Sequence, residues 1–304
     1  MSHDCTAWEQ TSTRLLAPEF EYMEATSRDE ALRLLATDAN IRVLAGGTDL
    51  LVKMKTGSVA PNRLLSISGA ADLNFVETDD GLRIGAVTPL IAVEETPAVR
   101  SGYTALYEAL AAMAGPAIRS MGTLGGNLCN ASPAADTSPA LMALGAVAVA
   151  ERVGEYRSIP VDELFAGPGR TVLLRDELLT EIWVPDPGPH SGSAYTKVAR
   201  VSGDIAKVNA AVFVRREGGI CAEVRIALGA VAPTTVRARG AEALIQGEVL
   251  SLSLVQSAAA MAARDIQPIT DLRSTAAYRK AMTEVIVEQL LIAAWARSGG
   301  EPLA

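Results

Sequence analysis

Two short glycine loops carry the residues of this 304-residue chain best suited to chemistry. The first, Leu44-Ala45-Gly46-Gly47-Thr48-Asp49-Leu50, follows a short apolar run, Ile41 to Ala45, and leads into a helical pattern over Asp49 to Lys55. Strand, tight glycine turn and helix form a phosphate-binding geometry in outline, because glycine lets the backbone approach a ligand closely and successive N–H groups can cradle oxygens. The second loop, Thr123-Leu124-Gly125-Gly126-Asn127, repeats that chemistry with a hydroxyl, an amide and bare backbone. Neither has G-x-G-x-x-G spacing, which disfavours a nicotinamide-type Rossmann site. Two Gly-Gly loops in one half of a chain suit a bulky dinucleotide gripped from two sides. They equally suit two structural turns that need positive φ, and spacing leaves both readings open. Asp49 is an unfavourable neighbour for phosphate unless it points away, whereas a carboxylate in a first helical turn is favoured by the helix dipole.

Other chemistries lack their residues. Cys5, Cys129 and Cys221 are scattered with no C-x-x-C pair, so neither a disulfide framework nor an iron–sulfur or four-cysteine metal site is expected. The only histidines are His3, in an expected tail, and His190, in the loop segment PDPGPHSG, which argues against histidine metal sites and Ser/His triads. A formal charge of −8 disfavours nucleic acid and anionic membranes as partners. No stretch is long and apolar enough to span a bilayer, no export signal opens the chain, and a cytoplasmic setting is expected.

The elements that must position the loops follow from punctuation and periodicity. Ser27 and Glu30 predict a capping box opening a helix through Leu32, Leu34 and Leu35. A strand is expected near Leu64 to Ile67, and a hairpin at Asn74–Thr78 and Leu82–Ala86 around Asp80-Gly81. Tyr103 to Ala114 is a helix candidate leading into the second glycine loop. Beyond Ala150 strands are expected at Leu178–Val184, Ala194–Arg200, Ala210–Arg216 and Cys221–Leu228, the last two joined by a Glu-Gly-Gly turn. From Gly240 the pattern is helical and ends in a long helix, Ala276 to Arg297, stopped by Gly299 and Gly300.

The segments LAGGTDLLVKMK and IRSMGTLGGNLCNASPAADTSPALMALGA closely resemble the FAD-binding medium subunits of molybdenum hydroxylases, the family of carbon monoxide dehydrogenase and the flavin domain of xanthine dehydrogenase. The resemblance continues through EFEYMEATSRDEALRLLA, LRIGAVTPL, DELLTEIWVP, AYTKVARVSGDIAKVNAAVFV, RIALGAVAPTTVRA and TDLRSTAAYRKAM. It implies an α+β fold of the vanillyl-alcohol-oxidase or PCMH type. After an N-terminal tail at 1–17, a FAD-binding domain at 18–172 would comprise subdomains at about 18–57 and 58–172. A C-terminal domain at 173–304 would carry an antiparallel sheet plus helices. By position in the matching motifs, Leu44 to Leu50 and Thr123 to Asn127 are similar to the two diphosphate loops. Asp136 is similar to the acidic residue that hydrogen-bonds the cofactor, and Leu179 and Lys197 to positions approaching the flavin.

The resemblance also implies function: an oxidoreductase subunit that is not catalytically complete alone. It would take electrons from [2Fe–2S] clusters on a small subunit, filled by a molybdopterin centre on a large one, in a dimer of heterotrimers. The electrons would leave to an external acceptor. No histidine falls in a flavin motif, so FAD binding is expected to be non-covalent, with Cys129 either facing the flavin or serving as a small buried thiol. The branch with an added cysteine-bound cluster is excluded by three isolated cysteines. Two rivals are a self-sufficient flavin reductase resembling UDP-N-acetylenolpyruvoylglucosamine reductase and a flavin-free assembly subunit.

Overall fold

The structure, a computed structural model, describes residues 19–38, 40–201 and 203–303. The expected tail at 1–17, with His3 and Cys5, lies outside them. The first unit contains β1 (Glu21–Glu24), α1 (Arg28–Thr37), β2 (Ile41–Leu44), α2 (Leu50–Lys55) and β3 (Arg63–Ser66). Its three strands are parallel in the order β1-β3-β2. Ser27 caps α1 by accepting from the Glu30 N–H, but Glu30 reaches back to the Thr26 N–H at 2.8 Å, one residue earlier than a capping box requires. Leu32 and Leu35 are buried with Leu65 and Ile67, and Leu34 lies at the margin. Burial of each such side chain stabilises the unit by about 1.5–3 kcal/mol.

The second unit runs through β4 (Val76–Glu77), β5 (Leu82–Gly85), α3 (Leu90–Glu95), α4 (Pro97–Gly102), α5 (Thr104–Ala112), α6 (Pro116–Arg119), α7 (Leu124–Asn130) and α8 (Thr137–Ala143). It continues with β6 (Val147–Arg152), β7 (Glu155–Pro160), β8 (Phe165–Gly167), β9 (Arg170–Thr171) and β10 (Leu178–Val184). Five strands form an antiparallel sheet in the order β4-β5-β10-β6-β7. The hairpin expected at Asp80-Gly81 is present, shortened to β4 and β5, with Gly81 at φ +79°.

Strand pairing bears on both expected divisions. A cut between 57 and 58 would remove β3 from the first unit, yet β3 is that sheet's middle strand, bonded to β1 and β2 alike. A cut between 172 and 173 would remove β10 from the second, yet β10 lies between β5 and β6. In each case the strand pairs with residues far earlier in the chain, a relation that local texture does not carry. The break follows β10, in the proline-bearing stretch 185–190.

The C-terminal domain begins with β11 (Ser191–Val198), β12 (Val208–Glu217), β13 (Ile220–Gly229) and β14 (Val236–Arg237), antiparallel in that order. It ends with α9 (Arg239–Ile245), α10 (Leu252–Arg264) and α11 (Ala276–Arg297). β12 is apolar on both faces. Val208, Ala210, Val212 and Val214 join the core beneath α9–α11, whereas Ala211 and Phe213 join the core of the second unit with α5 and α8. Alternating side chains thus fasten one sheet to two sets of helices. α11 packs on β11, β12 and α10, so its broad apolar circumference is mostly core. Its end is a Schellman motif: Gly299 and Gly300 donate to Ala296 and Trp295, with Gly299 at φ +80°.

Candidate functional site

A cleft of about 790 Å³ is lined by both α+β units and by Gly203–Ile205 of the C-terminal domain. The parallel sheet delivers the first glycine loop at the end of β2, whereas the second glycine segment, expected as a loop, is the first turn of α7: Thr123 is its N-cap and Leu124 to Asn127 are helical. These segments lie against one another. A Cβ built on Gly46 would fall 1.9 Å from the Met121 carbonyl oxygen and 2.9 Å from Gly122 Cα, so only glycine permits the approach. Gly47 is at φ +71°, a conformation that also favours glycine. The cradle therefore needs both glycines, for different reasons.

The loops differ in what they offer a ligand. Among the described residues, no backbone or side-chain acceptor receives the N–H groups of Gly46, Gly47 or Thr48. In the second loop the corresponding donors are largely used within the protein: Leu124 donates to the Thr88 carbonyl at 3.2 Å and Gly125 to Ala86 at 3.1 Å. Gly126 donates to the capping Thr123 hydroxyl at 3.0 Å. Gly125 is also pressed against Ala86, where a Cβ would come within 2.7 Å of the carbonyl oxygen. The first loop is thus the donor-rich one, and the second supplies close backbone approach at Gly126 beside Ala45. Asn127 turns its side-chain oxygen to the Thr137 hydroxyl at 2.6 Å. Asp49 is exposed at the N-terminus of α2 and makes no capping bond.

Of the sequence-expected residues, Leu44 to Leu50, Thr123, Gly125, Gly126, Asn127, Asp136 and Leu179 line the cleft. Leu124 and Lys197 do not. Leu124 is fully buried in the core beneath the loop. The Lys197 ammonium is spent on Asp136, at 3.1 Å, and on the Asp204 carbonyl, at 3.0 Å, with its side chain only 6% exposed. Leu179 sits where the β10–β6 register slips, its side chain buried against the second unit's core. Asp136 is buried and receives the Tyr195 hydroxyl at 2.6 Å as well as Lys197. Burial pushes its carboxyl above the ordinary aspartate range, and the bonds from Tyr195 and Lys197 oppose that rise.

Cys129 is half-buried on the cleft wall and also packs on the second unit's core. Burial pushes its thiol up to about 11, so it is neutral near pH 7 and no thiolate faces the ligand space. Sequence reasoning did not assign the cleft's cationic residues. Lys53 donates to Asn130 at 2.5 Å from the inner turn of α2, and Arg42, Arg170 and Arg175 also line the cavity. Lys53 stands inside the quoted glycine-loop motif, three residues beyond Leu50, so helical phase could have flagged it. The arginines come from separate strands and loops with no shared motif.

Unpaired N–H donors on a glycine loop that lines the cleft, with cations nearby, fit a diphosphate-bearing cofactor. Comparison with known proteins agrees. Residues 18–187 match the family described as the FAD binding domain in molybdopterin dehydrogenase, and residues 193–294 the CO dehydrogenase flavoprotein C-terminal domain. The chain belongs to this family of FAD-binding subunits of molybdopterin-dependent oxidoreductases. It is 35% identical to the carbon monoxide dehydrogenase medium chain of Hydrogenophaga pseudoflava over 93% of this chain and 99% of that one. It is 30% identical to the xanthine dehydrogenase FAD-binding subunit of Escherichia coli O157:H7 over 92% of this chain and 97% of that one. In three dimensions it matches a chain of the Hydrogenophaga pseudoflava carbon monoxide dehydrogenase with a TM-score of 0.89 at 36% identity, covering 93% of this chain and 99% of that one. Among the described residues no helix is long and apolar enough to cross a membrane.

Proposed function

We propose that the cleft binds one FAD non-covalently and that the chain serves as the electron-relay subunit of a molybdenum hydroxylase. The observation that carries this reading is the close approach of Gly46 to Met121 and Gly122, just before the second glycine segment, across a contact that no side chain would tolerate. The N–H groups of Gly46, Gly47 and Thr48 would hold the diphosphate, with Gly126 leaving room for it and Lys53 adding positive charge. Asp136 would accept from the cofactor's polar groups, and Leu179 would give an apolar wall to its ring system. FAD supplies the one- and two-electron chemistry, which is why the chain needs no general base or nucleophile of its own.

Family membership supports a reading of the partners. The chain would receive electrons from the [2Fe–2S] clusters of a small subunit, supplied by a molybdopterin centre on a large subunit, and pass them to an external acceptor. A dimer of such heterotrimers would be the working unit. Co-expression with both partners should give a complex whose flavin absorbance bleaches when the hydroxylase substrate is added, while the lone chain's flavin stays oxidised. Turnover of an organic substrate by the lone chain at roughly 1 per second or faster would replace this reading with a self-sufficient flavoenzyme.

A further inference from the structure

We propose that Tyr195, which has no place on the cleft wall, is a positioning residue for the FAD site: its hydroxyl fixes the Asp136 carboxylate in the orientation presented to the cleft. The inference rests on the cleft being the FAD site. Asp136 stands at the N-terminus of α8 but makes no capping bond to its own helix. Its carboxylate is drawn instead to the C-terminal sheet. Tyr195 Oη donates to Oδ1 at 2.6 Å and Lys197 Nζ donates to Oδ2 at 3.1 Å. Asn209 Nδ2 bonds the Tyr195 oxygen at 3.3 Å and the Ala135 carbonyl at 3.0 Å. Tyr195 and Lys197 are two apart on β11 and share a face, and Asn209 lies opposite Lys197 in the β11–β12 register. One face of a strand pair thus addresses both carboxylate oxygens.

Tyr195 is 5% exposed, with its ring in the core shared by the sheet and the second unit. A hydroxyl bonded to a carboxylate at this distance is of the short, charge-assisted class and favours the ionised acceptor. An ionised Asp136 accepts hydrogen bonds from ligand hydroxyl or imide groups, whereas its protonated form offers less acceptor capacity. The charged or titratable groups facing it are Tyr195 and Lys197 of β11. β12 contributes only the Asn209 amide, and Asp204 turns its carboxylate to Arg200 at 2.8 Å. A purely structural bolt between domains would place Tyr195 here as well, but it would leave no pH signature in ligand binding.

The test titrates FAD into the deflavinated full chain across acidic and neutral pH, for the wild type, Tyr195→Phe, Asp136→Asn and the double variant. Tyr195→Phe should weaken FAD about tenfold. It should also move the acid-side loss of affinity up by about one pH unit, because the bond opposing Asp136 protonation is gone. Asp136→Asn should flatten that acid limb, and the double variant should bind no more weakly than Asp136→Asn alone. Wild-type affinity and pH profile in Tyr195→Phe, or additive losses in the double variant, would overturn the role. So would a Tyr195→Phe chain unable to fold, which would make the residue a structural bolt, or an Asp136→Asn chain with wild-type binding. If Gly46→Ala also left FAD binding unchanged, the assignment of the cleft itself would fall.

Discussion

Replacing Gly46 with alanine adds one methyl group where the first glycine loop meets the Met121-Gly122 backbone ahead of α7. The new Cβ would lie 1.9 Å from the Met121 oxygen, 2.7 Å from its carbonyl carbon and 2.9 Å from Gly122 Cα. All three are backbone atoms, so no side chain can rotate away. Reaching an ordinary 3.4 Å contact from 1.9 Å requires the loops to part by about 1.5 Å. Overpacking of this kind costs about 1–3 kcal/mol of stability. The larger effect should fall on FAD, since donors aimed at a charged diphosphate contribute about 1.5–3 kcal/mol each and lose that quickly with distance. Loss of one to two such bonds weakens binding by on the order of a hundredfold. FAD titration of the full chain, followed by flavin fluorescence, reads the affinity, and thermal unfolding without FAD reads the stability. Gly102→Ala is the control: its Cβ meets nothing within 4 Å and lies in helix α4, so it should leave FAD affinity unchanged and stabilise slightly. Wild-type FAD affinity in Gly46→Ala would refute the claim that this contact shapes the diphosphate site.

Gly126→Leu should abolish FAD binding in a chain that still folds. Its Cβ meets chiefly the Thr123 hydroxyl, at 2.8 Å, whose displaced cap costs about 1 kcal/mol by thermal unfolding, and the rest of the side chain enters the cleft. Arg279 is buried, donating to the carbonyls of Lys207 and Ala230 and to Asp271. Arg279→Met should therefore cost about 3–5 kcal/mol in denaturant unfolding, and a loss near zero would contradict its bridging role. The Asp271 carboxyl is held down to about 2 by the N–H of Arg273, that of Ser274 and the Arg279 guanidinium. Its folded value lies below the unfolded 3.8, so its stabilisation is present above 3.8 and disappears as pH falls through about 2. Asp271→Asn should flatten that stretch of the stability–pH curve, and an unchanged slope would show that Asp271 does not contribute it.

Most of what was legible in the sequence was local. The helix Ala276–Arg297 and the strand Leu178–Val184 lie where periodicity and glycine punctuation place them, because each is set by its own residues. The hairpin β6–β7, the short helices α3, α4 and α6, and the strand β1 escaped notice, being brief or lacking a strong period. Strand membership was the harder loss. β3 and β10 belong to sheets completed by distant partners, and only those partners place the domain breaks after them. At the site, the motif located both loops but not their unequal use: the occupation of the Leu124 and Gly125 N–H groups depends on the carbonyls of Thr88 and Ala86, over thirty residues earlier. Lys197, expected near the flavin, bonds Asp136 across the two domains, a pairing that no linear pattern records.

Acid precipitation of the purified protein reads whether the cleft of this chain holds FAD non-covalently. The supernatant should carry flavin absorbance equivalent to about one FAD per chain, the pellet should be colourless, and Gly46→Ala prepared identically should release little. Colour retained in the denatured pellet, or a wild-type chain that neither carries nor takes up FAD, would contradict non-covalent FAD binding.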